Sequence, residues 1–259
     1  MRLPTLRRRG SAPASSQQPM SLMDHLTELR RRMFIAATAV LIGAIIGFFL
    51  YSRVLAHLVA PYCDVKHSVD PKSSCRLVVT DPLESFSIRL KLSGYLGLII
   101  SSPVVLWQLW RFITPGLYDR EKRYAVPFVF SSIALFLMGA ALAIVTFPKT
   151  LQFFAAFGGS DLELLYTPTK YLGLLVLMMF IFGLGFEFPV LLVFLEIAHV
   201  LKWQQLAKWR RYAIVGIFVV DAIITPSGDP ITLMAMAVPM CIFYEVAILI
   251  GRFALHRGD

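Results

Sequence analysis

Residues 171–195 are apolar throughout except for one charged side chain, Glu187. At about 1.5 Å per residue, a helix of that length crosses the roughly 30 Å hydrocarbon core of a bilayer. A carboxylate far from either end of such a helix costs at least about 2.5 kcal/mol to insert, so it must face protein or water and marks a functional site. Five further apolar segments accompany it. With 57% hydrophobic and only 16% charged residues, and 20 Phe in 259 positions, the composition excludes a soluble domain and specifies an integral membrane protein.

The expected fold is all-α with six transmembrane helices, at about 33–51, 86–110, 123–148, 170–197, 211–224 and 231–251. The fifth is short and carries Asp221. It either thins the bilayer locally or pairs with the sixth as a re-entrant hairpin shielded by protein. Orientation follows from Lys and Arg, which accumulate in cytoplasmic loops. With the N-terminus inside, 17 of the 25 basic residues fall on the inner side and both termini are cytoplasmic. The net charge of +9 is thereby a topology signal, and nucleic acid is not an expected partner.

Residues 1–19, rich in Ser, Pro and Arg, read as a disordered cytoplasmic extension. A six-helix membrane core spans 20–252, and 253–259 form a short cytoplasmic tail. Ser21 with Asp24 three positions on resembles a capping box, and Leu22, Leu26, Leu29 and Met33 share one helical face, so 21–32 is expected as a surface amphipathic helix. The first outside loop, 52–85, should hold short helices. It contains Cys63 and Cys75, for which a disulfide and two separate thiols are both open. Trp107, Trp110 and Arg111 read as an anchor at the inner interface. Gly183, Gly185 and Pro189 flank Glu187, and Pro189 cannot donate to the carbonyl of Gly185, so a kink is expected there.

No catalytic, nucleotide or metal motif is present, so neither enzymatic activity nor a cofactor is expected. Two cytoplasmic carboxylates stand among cations: Glu28 in Thr-Glu-Leu-Arg and Glu121 in Tyr-Asp-Arg-Glu-Lys-Arg. Local ion pairing within a helix is one reading. The other is a receptor for guanidinium groups, because a planar Arg fork binds a carboxylate bidentately.

The stretch Asp24-His-Leu-Thr-Glu-Leu-Arg-Arg, the passage from Ser102 through Trp107 and Trp110 to Tyr118, Glu121, Phe186-Glu-Phe-Pro189 and Thr225-Pro226 together resemble the TatC family, the multispanning subunit of the twin-arginine protein translocase. The resemblance covers about 20–252. It implies a cup-shaped receptor in the bacterial cytoplasmic membrane. Such a receptor binds the Arg-Arg signal peptides of folded cargo, assembles with itself and with single-span subunits of the TatA and TatB kind, and draws on the proton motive force. By the same resemblance Glu28, Glu121, Arg30 and Phe112 match the signal-peptide patch, and Glu187 the intramembrane contact with a partner helix. Pro61 and Asp229 match functional positions outside the membrane. A proton- or ion-coupled small-solute transporter using Glu187 is the alternative reading.

Overall fold

The computed structural model describes residues 22–69, 77–113, 125–158 and 166–255, and every regular element among them is helical. In chain order these are α1 (Leu22–Val69), α2 (Glu84–Ile113), α3 (Ala125–Gly158), α4 (Pro168–Gly185), α5 (Phe188–Ile197), α6 (Trp203–Ile224) and α7 (Pro230–Ile250). A π-helical turn, Gly251–Leu255, ends the described chain.

Among the described residues, five helical stretches are long and apolar enough to cross a membrane: Leu26–Cys63, Glu84–Phe112, Val126–Phe157, Pro168–Ile197 and Pro230–Phe253. Large apolar side chains face outward along them, as Leu41, Ile45 and Phe49 do on α1. Such a surface suits a lipid solvent and would aggregate in water. The apolar part of α6 is too short to join these five, because charged side chains fill its first turns. That helix also starts at Trp203, well before the expected 211.

The span expected to end at 51 and the short helices expected beyond it are one element in the structure: α1 runs unbroken for 48 residues, Leu22–Val69, with Pro61 inside, and takes in the stretch expected as an amphipathic helix. Pro61 lacks an N–H and removes one rung of the helical ladder. Lateral contacts hold the helix through that gap. The Tyr62 ring lies 5.6 Å from Tyr171 and 5.8 Å from Tyr166, and the Tyr171 hydroxyl donates to the Leu58 carbonyl at 2.8 Å. Cys63, two residues after Pro61, is disulfide-bonded, Cys241 in α7 is free, and Cys75 lies outside the described residues.

Helices α1 and α2 form an antiparallel pair. At one end Arg32 reaches Gln108 at 3.5 Å, and toward the other the Arg89 guanidinium lies 4.2 Å from the Phe48 ring centroid. Between these points Gly43 and Gly97 let the two backbones touch. Helices in lipid gain little from hydrophobic exclusion, so close approach at small residues supplies much of their attraction. Helix α4 is the most enclosed element, with Tyr171, Leu172, Leu175, Met178 and Phe182 all buried in the main core. Glu84 ties the start of α2 to that of α4 by accepting from the backbone N–H of Thr80 at 3.1 Å and of Thr169 at 3.2 Å.

A methyl group at Gly97 would stand 2.6 Å from the Ala44 backbone nitrogen, whereas one at Gly94 would meet no atom within 4 Å. Gly97→Ala is therefore expected to cost about 1–3 kcal/mol by overpacking. Gly94→Ala should be neutral or slightly stabilising, since it only removes helix-interior glycine. Thermal melts of the two purified variants in detergent check the contrast; equal melting points would refute the close contact.

Candidate functional site

Two groups of the expected residues can be located. The first lies at the start of α1 and the end of α2. Glu28 and Arg32 are one helical turn apart and form an ion pair, with both guanidinium contacts going to Oε1 of Glu28. Arg32 also donates to Gln108 of α2, so the pair is fastened across the two helices. Phe112 follows Gln108 by one turn on the same side of α2 and is half-buried, which brings it to the Glu28 end of the molecule. Arg30 lies 5.7 Å from the ring of Phe34 on its own helix. Glu121 falls outside the described residues. The Glu28 side chain remains 28% exposed, and no hydrogen bond among the described residues occupies its Oε2.

The second group surrounds Glu187. The chain leaves α4 at Gly185 and re-enters a helix at Phe188, so Glu187 stands at the N-cap of α5. Pro189 explains the break, because its missing N–H deprives the Gly185 carbonyl of its i+4 donor. The Glu187 N–H turns instead to Leu184 O at 3.1 Å, three residues back. At this height α3 lies against α4 without an intervening side chain: a Cβ at Gly139 would collide with the Phe182 carbonyl.

Oε2 of Glu187 accepts from the Ser132 hydroxyl of α3, and the Ser132 oxygen in turn accepts from the Trp110 indole N–H of α2 at 2.9 Å. Oε1 of Glu187 is buried, with no hydrogen-bond donor among the described residues. Trp110, Phe128 and Phe194 close around this chain, with ring centroids 5.3–6.3 Å apart.

Trp110 corrects the sequence reading. Expected as an interfacial anchor, it is 5% exposed and bonded inward, while Trp107, three positions earlier, is 40% exposed. An aromatic pair at a helix end fits either role, and only the facing helix decides which ring turns in. Ser132 could not be found from the sequence either, since a serine in an apolar helix most often bonds its own backbone, as the adjacent Ser131 does to Phe128 O.

The remaining candidates, Asp229 and Pro61, belong to other parts of the fold. Asp229 caps α7: its carboxylate accepts from Ile231 N at 3.0 Å, Thr232 N at 2.9 Å and the Thr232 hydroxyl at 2.5 Å. Pro61 is half-buried inside α1. Glu245 pairs with Arg210 of α6 at 2.8 Å. Glu196 and Asp221 are buried, and no hydrogen bond among the described residues joins either to Glu187.

A multi-pass α-helical membrane protein with a carboxylate buried at an interrupted span is the class these observations define. A family model for the Sec-independent protein translocase protein TatC matches residues 24–239. The chain is 40% identical over 250 residues to the Sec-independent protein translocase protein TatC of Frankia casuarinae, covering 93% of this chain and 69% of that one. To the protein of the same name from Aquifex aeolicus it is 38% identical over 243 residues, 92% of this chain and 97% of that one. It also superposes on a crystal structure of the twin-arginine translocase receptor TatC with a TM-score of 0.70 at 38% identity, covering 90% of this chain and all of that one. The chain belongs to the TatC family and is a multi-pass membrane component of twin-arginine protein transport. Family membership displaces the small-solute transporter reading.

Ser132→Ala is expected to remove the hydroxyl that donates to Glu187 and accepts from the Trp110 N–H, lowering stability by about 0.5–2 kcal/mol. Glu187→Gln keeps an oxygen that accepts from Ser132 and should cost much less. Melting of both variants in detergent, followed by tryptophan fluorescence, tests the order; a greater loss in Glu187→Gln would contradict the contact.

Proposed function

We propose that the chain is the signal-peptide receptor of a twin-arginine translocase. The observation that carries this reading is the state of Glu28. Arg32, itself bonded to Gln108, holds one carboxylate oxygen, while no hydrogen bond among the described residues occupies Oε2 and the side chain is partly exposed beside the end of α2. An incoming guanidinium can add to Oε2 without displacing Arg32, and a charge-assisted bond of this kind is roughly twice as strong as a neutral one. Glu121 supplies the second carboxylate for the second arginine, and Arg30 and Phe112 border the peptide.

Binding of the Arg-Arg motif at this patch is followed by assembly with single-span partners of the TatA and TatB kind and with further copies of the receptor. Glu187 receives a partner helix inside the membrane, where Oε1 takes a donor from it. Pro61 and Asp229 shape the opposite face, Pro61 within the long α1 and Asp229 by setting the start of α7. Six crossings, counting α6, give a cup with both termini cytoplasmic, in the cytoplasmic membrane of a bacterium. Residues 1–19 and 253–259 flank the 20–252 core on that side. The distribution of Lys and Arg supports this orientation. The receptor carries out no catalysis, and the proton motive force drives transport.

Photocrosslinking of a twin-arginine peptide to membranes containing the protein tests the recognition step. Glu28→Ala combined with Glu121→Ala is expected to reduce the crosslink at least about tenfold, since each lost charged hydrogen bond is worth about 1.5–3 kcal/mol. Glu187→Ala should leave peptide crosslinking intact while weakening the crosslink to a single-span partner. An unchanged peptide crosslink in the double variant sinks the proposal.

A further inference from the structure

The receptor reading leaves one arginine run unassigned: Arg7-Arg8-Arg9, in the extension that precedes α1. The run lies outside the described residues, so its residue types and its distance along the chain are what bear on it. Topology does not require it. Arg30, Arg31 and Arg32 already stand at the border of the apolar run that begins at Met33, and three cations more than twenty positions upstream are too far from that border to add to the signal. Residues 10–19, Gly-Ser-Ala-Pro-Ala-Ser-Ser-Gln-Gln-Pro, carry no charge and no large apolar side chain. An export signal has an apolar segment close behind its basic head. Here the next apolar segment is α1 itself, so the run is a basic head without a body and can be bound without being transported.

The described end of α1 offers an acceptor within its reach. The Arg32 guanidinium is committed: Nε and Nη2 donate to Oε1 of Glu28, Nε at 3.1 Å, and Nη1 donates to Gln108 at 3.5 Å. No hydrogen bond among the described residues takes Oε2, and the Glu28 side chain is 28% exposed. Arg9 precedes Leu22, the first residue of α1, by thirteen positions, a length of chain that extends to about 45 Å. Glu28 lies six positions into the helix, about 9 Å along its axis. The tether therefore covers the gap with slack, and a short tether of this kind gives an effective concentration on the order of 1 mM.

We propose that Arg7-Arg8-Arg9 is a tethered pseudosubstrate: one of its guanidinium groups donates to Oε2 of Glu28 and occupies the signal-peptide patch until a true signal displaces it. This rests on the receptor reading above, cytoplasmic N-terminus included. Charge complementarity selects the occupant, because a planar guanidinium fork suits a carboxylate with one oxygen still unbonded. Arg30 and Arg31 are exposed on α1 and oppose the tethered run and an incoming signal peptide alike, so they leave the competition unaltered. A run with an intrinsic dissociation constant of about 0.1 mM, tethered at about 1 mM, weakens a competing peptide about tenfold. A cargo signal prevails because its apolar body adds burial that the extension lacks.

The test photocrosslinks a twin-arginine peptide, below saturation, to the full-length protein in membrane vesicles with the cytoplasmic face outward. R7Q/R8Q/R9Q is expected to raise the crosslink about tenfold. R7K/R8K/R9K should raise it nearly as much, since lysine keeps the charge and lacks the fork. Glu28→Gln, which preserves side-chain shape, should lower the crosslink in every background. A photoreactive residue in place of Leu6 should capture the receptor's own α1 or α2 and lose that capture in excess peptide. An unchanged crosslink in R7Q/R8Q/R9Q, with Glu28→Gln still lowering it, overturns this inference and leaves the receptor reading standing. A crosslink indifferent to Glu28→Gln in both backgrounds sinks the receptor reading and this inference with it. An undiminished block in R7K/R8K/R9K, or capture of lipid alone from position 6, makes the run a membrane-surface charge cluster and overturns the inference as well.

Discussion

Inside a hydrocarbon layer a carboxylate has no water to lean on, and in this protein the hydroxyl of Ser132 takes that place for Glu187. The hydroxyl can serve because the Trp110 indole N–H supplies the hydrogen bond that orients it from the other side. Three helices, α2, α3 and the α4–α5 junction, are thereby fixed at one height. The rings of Trp110, Phe128 and Phe194 exclude other polar groups from the contact, so its geometry is held by packing as well as by hydrogen bonding. One carboxylate oxygen is engaged and the other is buried without a donor among the described residues, a condition suited to a partner that arrives within the membrane.

The interruption between α4 and α5 is what puts Glu187 there. In a continuous helix the backbone would satisfy itself and the side chain would lie wherever the helical phase put it. Pro189 breaks the ladder, and Gly139 lets α3 come against the Phe182 carbonyl, so Ser132 comes within reach of the carboxylate. The same α2 that delivers Trp110 also carries Gln108 and Phe112, one contacting Arg32 and the other near the end of the helix. The membrane-surface patch at Glu28 and the intramembrane acid are therefore linked through a single turn of α2.

Much of this was legible in the residues. Hydropathy exposes the spans because lipid admits only self-satisfied backbone, and Pro189 beside Gly185 marks the interruption for the same reason. Glu28 four residues before Arg32 states an ion pair from spacing alone, and Asp229 before Pro230 is a readable helix start. Trp110 was misread because its neighbour Trp107 fits the interfacial role equally well, and the choice belongs to α3. The long α1 was misread because its polar extension past 51 looks like a loop; the tyrosine contacts that keep it helical through Pro61 come from residues more than a hundred positions away.

Local chemistry is written along the chain: apolar length, charge bias, capping, and the insertion penalty that singles out Glu187. These depend on a side chain and its near neighbours, and so on sequence alone. Which donor meets that carboxylate, which tryptophan turns inward and where two glycines let helices touch were decided by helices meeting in three dimensions. A hydrogen bond is won or lost within a fraction of an ångström, and no spacing rule along one helix carries the position of another.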